Sequence, residues 1–242
     1  MKNNVYLSVI IPAYNEEMNI AGTLVDIAEY LGKKDFTYDI TVIDDGSSDN
    51  TIKKAWEVAA KLPGLRVIKS SPNRGKGYVV KKGVLGADGD YVMFMDADNS
   101  TSIQELDRFL PQLKEGFDVY IASRRVPGSD VKSSLERRLM GAVYIMFARL
   151  ILGIKVNDIN CGFKLFKKSA AKNTFSRQIM DDWSFDAEVL YLCGKNGYRV
   201  KEIPVKWVHK DTSKVRPLRD GINSFISLMR IRMNDIKGKY KG

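Results

Sequence analysis

Within its first hundred or so residues the chain repeats one pattern four times: a short apolar run and a polar loop, followed after the first three runs by apolar residues at helical spacing. Val5 to Ile11 is a β-branched run stopped by Pro12, and Met18 to Leu31 reads as a helix. Asp39 to Ile43 is halted by DDGSSDNT, where Gly46 permits a tight turn and Asp49 or Asn50 caps a helix over Thr51 to Lys61. Leu65 to Lys69 leads through SSPNRGKG into a helix over Tyr78 to Ala87, and Asp90 to Met95 is the fourth strand. Parallel strands need long crossovers, which helices supply, so this alternation specifies an α/β fold: a mostly parallel sheet with helices on both faces. Ligands of such folds gather at the carboxyl ends of the strands. The loops there are AYNEE, DDGSSD, NRGKG and DADNS, all polar.

The later chain is less regular. Gln104 to Lys114 reads as a helix and Val119 to Ser123 as a fifth strand that ends in SRR. A helix over Asp186 to Asn196, a strand over Val200 to Trp207 and a basic helix from about Leu218 follow. The expected division is a catalytic domain over residues 1–217 and a C-terminal helix over 218–242. The apolar stretch Leu139 to Ile154 is interrupted by Arg149 and falls short of the roughly 18 to 20 residues of a spanning helix. The N-terminus meets Pro12 and two glutamates after a few apolar residues, so it reads as a strand and not as a signal peptide. Two cysteines without a neighbouring histidine argue against structural zinc and fit a reduced compartment. The net charge of +10 favours an anionic partner: nucleic acid, an anionic membrane surface or a phosphorylated substrate.

Asp96 and Asp98 follow a hydrophobic run and, on an extended chain, share a face. A D-x-D serves equally as a strand-ending turn, but beside a basic cleft two carboxylates suit a hard divalent cation shared with a diphosphate. Asp44 and Asp45 also read as turn residues, or as acceptors for a nucleobase N–H. NRGKG lacks the full G-x-x-x-x-G-K-[ST] pattern, and no G-x-G-x-x-G follows the first strand. Nucleoside-triphosphatase and dinucleotide-binding folds are therefore set aside. A nucleic-acid-binding module would use the same charge but would leave the carboxylate-bearing loops unexplained, so no nucleic acid is expected as partner.

SVIIPAYNE, VIDDGSSD and the D-x-D together resemble the inverting glycosyltransferases of family 2, which have the Rossmann-like GT-A fold. NRGKGYVVKKG, DADNST, DINCGFKLFKKSAA, WSFDAEVLYL and IPVKWVH resemble polyprenyl-phosphate sugar transferases, the dolichyl-phosphate glucosyl branch before the mannosyl one. The resemblance runs from about Val5 to Pro217 and implies transfer of a hexose, glucose from UDP-glucose first, onto polyprenyl or dolichyl phosphate with inversion. GDP-mannose as donor and a glycan hydroxyl as acceptor are the alternatives.

The resemblance further implies that Pro12, Tyr14 and Glu16 line a nucleoside pocket, that Asp44 meets the uracil, and that Lys76, Lys214 and Arg216 join them around the nucleotide sugar. Asp96 and Asp98 would hold Mg²⁺ or Mn²⁺ against the diphosphate; the mannosyl branch has a glutamine where this chain has Ser100, which leaves the third protein ligand open. Arg124 and Arg137 would bind the acceptor phosphate, with Arg138 as a substitute for the second. For Asp186 the resemblance implies the catalytic carboxylate of the later chain, a base where the acceptor is a hydroxyl; where the acceptor is an ionised phosphate, Asp182 or Asp186 would orient the sugar hydroxyls. Trp183 and Phe185 read either as core or as part of that cluster, and His209 is not assigned to the metal. The stretch Leu139 to Ile154 is expected to lie amphipathically in the interface of an anionic membrane, attaching the protein peripherally or monotopically to the cytoplasmic face.

Overall fold

A computed structural model describes residues 6–131, 135–208 and 217–241, with the backbone alone for 135–137 and 217–222. The repeated pattern becomes β1 (Leu7–Ala13), α1 (Ile20–Leu31), β2 (Tyr38–Asp45), α2 (Thr51–Ala59), β3 (Leu65–Ser70), α3 (Lys76–Gly86) and β4 (Tyr91–Met95). There follow α4 (Leu106–Phe109), β5 (Val119–Ser123), β6 (Asp130–Val131), α5 (Leu135–Leu152), β7 (Phe163–Lys167) and α6 (Lys168–Arg177). The chain continues through α7 (Phe185–Lys195), β8 (Val200–Pro204), β9 (Lys206–Trp207) and α8 (Pro217–Ile236). Seven strands make one sheet in the order β3-β2-β1-β4-β7-β5-β8, and β6 pairs with β9 in a small parallel ribbon. Within the large sheet only β7 runs antiparallel, between β4 and β5.

Side chains alternate across the strands, as the pleat requires. Ile10, Ile43, Phe94, Ile121 and Phe166 pack with α3, α5, α6 and α7 on one face. Leu7, Val9, Ile11, Val42, Met93, Met95 and Tyr120 pack on the other with α1, α4 and Ala55 of α2. From β1 the chain winds outward to β3, then returns to place β4 on the other side of β1. The crevice of an α/β sheet opens at such a reversal. Here it lies past Ala13 and Met95, where two of the polar loops begin.

Four expectations change in detail. Pro12 does not stop the first strand: it lies beyond Ile10, the last residue that pairs with β4, so its missing N–H breaks no bond on that side. The helix expected over Gln104 to Lys114 is a four-residue α4 between 3-10 turns, interrupted at Pro111; the Tyr120 hydroxyl donates to the carbonyls of Gln112 and Leu113 nearby. The strand expected over Val200 to Trp207 divides at Val205, its second half leaving for the ribbon. The antiparallel β7, inside DINCGFKLFKKSAA, is an element the pattern did not announce, because lysines punctuate its apolar residues.

Phe94 is fully buried and its ring meets those of Phe166, Phe175 and Phe185 at centroid distances of 6.2, 6.3 and 5.7 Å. Phe94→Ala is expected to lower the unfolding free energy by about 3–5 kcal/mol, read as a shift of the urea midpoint.

Candidate functional site

At the end of β4, Ala97 is buried in the core on the α1 side, and Asp96 and Asp98 flank it. The Asp96 N–H donates to the Gly162 carbonyl at 3.0 Å, and a Cβ on Gly162 would stand 2.1 Å from Asp96 Oδ2. A side chain at this position would displace the carboxylate from where it lies. Asp98 Oδ1 accepts the Ser100 N–H at 2.8 Å, across Asn99 in the left-handed region at φ 57°. The turn reading of the D-x-D therefore holds for one oxygen of Asp98 and leaves the other free of described donors. Ser100 is buried, and its carbonyl accepts the Val208 N–H at 2.9 Å, so the chain departs toward residues 209–216 from beside the D-x-D. His209, Lys214 and Arg216 lie outside the described residues.

The loops after β1 and β2 are laced together. Asn15 N–H donates to Ser47 Oγ at 3.0 Å, Glu16 N–H to Thr51 Oγ1 at 2.7 Å, and Ser48 N–H to Asn15 Oδ1 at 2.9 Å. Pro12 is buried in β1, whereas Tyr14 beyond it is half exposed. Asp44 is fully buried; its Oδ2 accepts from the amides of Gly46 (3.2 Å) and Ser47 (3.1 Å), while Oδ1 has no partner. An unpaired buried carboxylate oxygen is costly, which makes it a prepared acceptor for a ligand N–H. Asp45 differs: it accepts the N–H groups of Arg74 (2.9 Å) and Gly75 (2.8 Å) and the Asn73 amide (3.0 Å). It shapes NRGKG from beneath. Burial, and then the charges of Asp98 and Asp96, raise the Glu16 carboxyl above its ordinary value, against a hydrogen bond from Asn19.

Lys76 opens α3. Its Nζ lies 2.5 Å from Asp96 Oδ1 and 5.0 Å from the ring centroid of Trp183. Burial opposes its charge, but Asp96, Asp186 and Asp98 outweigh burial and raise its pKa, so it stays an ammonium. Asp186 is buried at the start of α7 and paired with Lys164, an equally buried lysine whose Nζ also donates to the Cys161 carbonyl at 2.8 Å. Trp183 and Phe185 part company: Phe185 is core, while Trp183 is 74% exposed above Lys76.

Arg124 leaves the end of β5 with Nε and Nη2 on the two oxygens of Asp158, at 2.7 and 2.9 Å, and its backbone N–H on the same carboxylate. Asp158 is 2% exposed; burial would raise its pKa, and the Arg124 charge brings it below the usual range instead. No sequence pattern marks Asp158 or Lys164, since both depend on β7 for their place. Arg137 lies on α5, where only its backbone is described.

The arrangement is thus a buried, unpaired carboxylate oxygen at the end of β2, carboxylates and an ammonium at the end of β4, and arginines just past β5. Residues 8–175 match the family Glycosyl transferase family 2. The dolichyl-phosphate beta-glucosyltransferase of Dictyostelium discoideum is 34% identical over 99% of this chain and 77% of its own length. The human dolichyl-phosphate beta-glucosyltransferase is 30% identical over 97% of this chain and 77% of its own. Glucosyl-3-phosphoglycerate synthase from Mycobacterium tuberculosis, solved with Mn²⁺, UDP and glucosyl-3-phosphoglycerate, superposes with a TM-score of 0.69 at 18% identity, covering 95% of this chain and 79% of that one. At that identity the likeness establishes the fold, which is GT-A.

The raised pKa of Glu16 has a thermodynamic consequence. The folded protein holds this proton more readily than the unfolded chain, so Glu16 withdraws stability as pH rises from its ordinary value of 4.5 through the folded one. In chelator-containing buffer, Glu16→Gln is expected to melt higher than the parent at pH 7 and together with it below about pH 4.

Proposed function

The chain belongs to glycosyltransferase family 2, and on that footing we propose that it moves glucose from UDP-glucose to a polyprenyl phosphate of the dolichyl type, inverting the anomeric carbon. The observation that carries the reading is the D-x-D, where Asp96 pairs with Lys76 and its charge also reaches the Arg124 guanidinium just past β5. Two anionic substrates, a nucleotide diphosphate and a lipid phosphate, meet at an anomeric carbon in this reaction. Each finds its own cation here.

In this reading Asp44 Oδ1 takes the uracil N–H, with Pro12, Tyr14 and Glu16 as the wall of the nucleoside pocket. Lys76 neutralises the diphosphate, and Lys214 and Arg216 join it from the segment that follows Val208. The donor type at β4 suits Mg²⁺ or Mn²⁺, hard oxygen ligands in Asp96 and Asp98; the described residues gather no group of three or more metal-ligating side chains, so phosphate oxygens and water would supply the remaining ligands. Charge agrees. Asp98, Asp96 and Asp49 act on Glu16, and Asp96, Asp186 and Asp98 act on Lys76, so negative charge gathers where a cation would sit. When bound, the cation supplies charge stabilisation to the departing diphosphate.

The acceptor phosphate is already ionised at neutral pH, so its oxygen attacks without a base. The new bond from phosphate oxygen to anomeric carbon forms as the bond to UDP breaks. Asp186, with one oxygen committed to Lys164, then serves to hold the sugar and the field around Lys76. Arg124 and Arg137 belong to the acceptor side of the site.

The acceptor's chain needs an apolar surface. Leu139, Val143, Met146 and Leu150 form an exposed stripe on α5, and Phe225, Ile226, Met229, Met233 and Ile236 form another on α8. The two helices pack together, with the Phe147 and Phe225 rings 5.1 Å apart, and Arg138, Arg149, Arg230 and Arg232 lie on the same pair. No helix among the described residues is long and apolar enough to cross a membrane. We therefore place the paired stripes of α5 and α8 in the headgroup interface of an anionic cytoplasmic leaflet, with residues 1–217 as the catalytic domain and the final helix as part of its seat.

Radiolabel transfer to polyprenyl phosphate should proceed with UDP-glucose in preference to GDP-mannose and require a divalent cation. Asp98→Ala should lower kcat about a thousandfold with the circular dichroism spectrum unchanged; an active variant would remove the diphosphate-clamp reading. Binding to anionic vesicles should fall sharply at about 1 M salt, where charges are screened beyond roughly 3 Å.

A further inference from the structure

Resting on that reading, we propose that Glu188 and Tyr240 are positioning residues for the donor's diphosphate: together they fix the segment between α6 and α7 that caps α3, and through it the ammonium of Lys76. Helix α3 starts after Gly75 with no side-chain cap of its own. A helix start without a cap leaves N–H groups for outside partners. The Asp181 carbonyl is one such partner, accepting the Tyr78 N–H at 3.1 Å, and the Asp181 carboxylate takes Arg74 Nη2 at 2.8 Å. Glycines bring the two backbones together. A Cβ on Gly75 would run into the Asp181 carbonyl, and one on Gly77 would come within 2.5 Å of the Met180 carbonyl oxygen. Lys76 stands between these glycines in the first turn of α3, so the direction from which it meets Asp96 follows the placement of residues 178–182.

Residues 178–184 form neither helix nor strand, so side chains must answer the backbone groups buried there. Gln178 Nε2 donates to the carbonyls of Gly77 at 2.9 Å and Met180 at 2.8 Å. Glu188, in the first turns of α7, accepts the Met180 N–H on Oε2 at 2.8 Å and the Ile179 N–H on both oxygens, at 3.1 and 3.0 Å. Its Oε1 also accepts the Tyr240 hydroxyl at 2.6 Å, and both side chains are buried. Burial raises the Glu188 carboxyl above its ordinary value; the Tyr240 hydroxyl, the two N–H groups and the charge of Lys81 oppose it. A buried carboxylate so placed depends on each of its donors. Tyr240 is itself fixed, its ring 6.3 Å from that of Tyr191, while Asp235 of α8 accepts the Tyr191 hydroxyl at 2.6 Å and pairs with Lys195. The end of α8 is thus clasped to α7, and one hydroxyl carries the clasp to the segment that caps α3.

The test is calorimetric titration of UDP, in buffer containing Mn²⁺, into the parent, Tyr240→Phe, Glu188→Gln, Lys76→Gln and the double variant Lys76→Gln with Tyr240→Phe, beside transfer kinetics in detergent with a short-chain polyprenyl phosphate. Tyr240→Phe removes one donor from a buried carboxylate and should weaken UDP binding about 3- to 10-fold, raising the KM for UDP-glucose to match and leaving the acceptor KM within about twofold of the parent. Glu188→Gln turns an amide donor toward N–H groups and should weaken UDP further; Tyr240→Phe carries the test if that variant does not fold. Because Tyr240 acts through Lys76, its effect on UDP should shrink to within about twofold once Lys76 is glutamine. A Tyr240→Phe protein that melts lower yet binds UDP as the parent does overturns the assignment and makes the contact a brace of the fold alone. So does a full Tyr240→Phe effect in the Lys76→Gln background. Either result leaves the proposed function standing if the parent binds UDP. A parent that binds neither UDP nor UDP-glucose overturns the proposed function itself, and this assignment with it.

Discussion

Carboxylates crowded at one edge of a sheet repel each other, and the structure depends on how each is answered. Asp45 is answered by backbone amides, Asp158 by Arg124, Asp186 by Lys164, and one oxygen of Asp96 by Lys76. Asp45, Asp158 and Asp186 are buried, where an unmatched charge would be far more costly than at the surface; Asp96 is partly exposed. What remains unanswered is informative for the same reason. Asp44 Oδ1 has no partner, and Asp98 offers an oxygen that takes no described hydrogen bond. Matched carboxylates build the site; unmatched ones are available to ligands.

The antiparallel β7 makes this division possible. By inserting between β4 and β5 it carries Asp158, Gly162 and Lys164 into a region otherwise assembled from the first hundred or so residues. Gly162 then clears space for Asp96, while Lys164 reaches Asp186 on α7 from inside the sheet. A second support comes from the far end of the chain. Glu188, fully buried on α7, accepts the N–H groups of Ile179 and Met180 and the hydroxyl of Tyr240. The Asp181 carbonyl in turn accepts the Tyr78 N–H at the start of α3, next to Lys76. The C-terminal residues thus brace the loop on which the ammonium of Lys76 depends.

The same geometry relates the two apolar stripes to the charged site. Helix α5 begins beside the arginines at the end of β5 and carries its exposed face away from them, and α8 widens that face. A substrate with a charged head and an apolar tail finds the two environments in that order. The function proposed for the chain asks for such an adjacency.

Much of this was legible before any coordinates. Alternating strands and helices specified a parallel sheet, and with it the edge at which AYNEE, DDGSSD, NRGKG and DADNS converge, because connection length and strand polarity are local properties. The shared face expected of Asp96 and Asp98 on an extended chain does not apply, since β4 ends at Met95 and the pair lies in the turn beyond it. Other features were not local. Whether Pro12 ends a strand depends on where β4 stops pairing, and Lys164 looks like a surface lysine until β7 places it inside the sheet. Arg124 and Arg125 are adjacent and chemically identical in sequence; the fold gives Arg124 the carboxylate of Asp158, thirty-four residues away, and gives Arg125 only the Arg138 carbonyl. The sequence by itself determined which charges come to the site, since residue type and strand order suffice for that. Only the tertiary structure decided which of those charges are spent on one another, because burial and pairing are set by contacts between segments far apart in the chain.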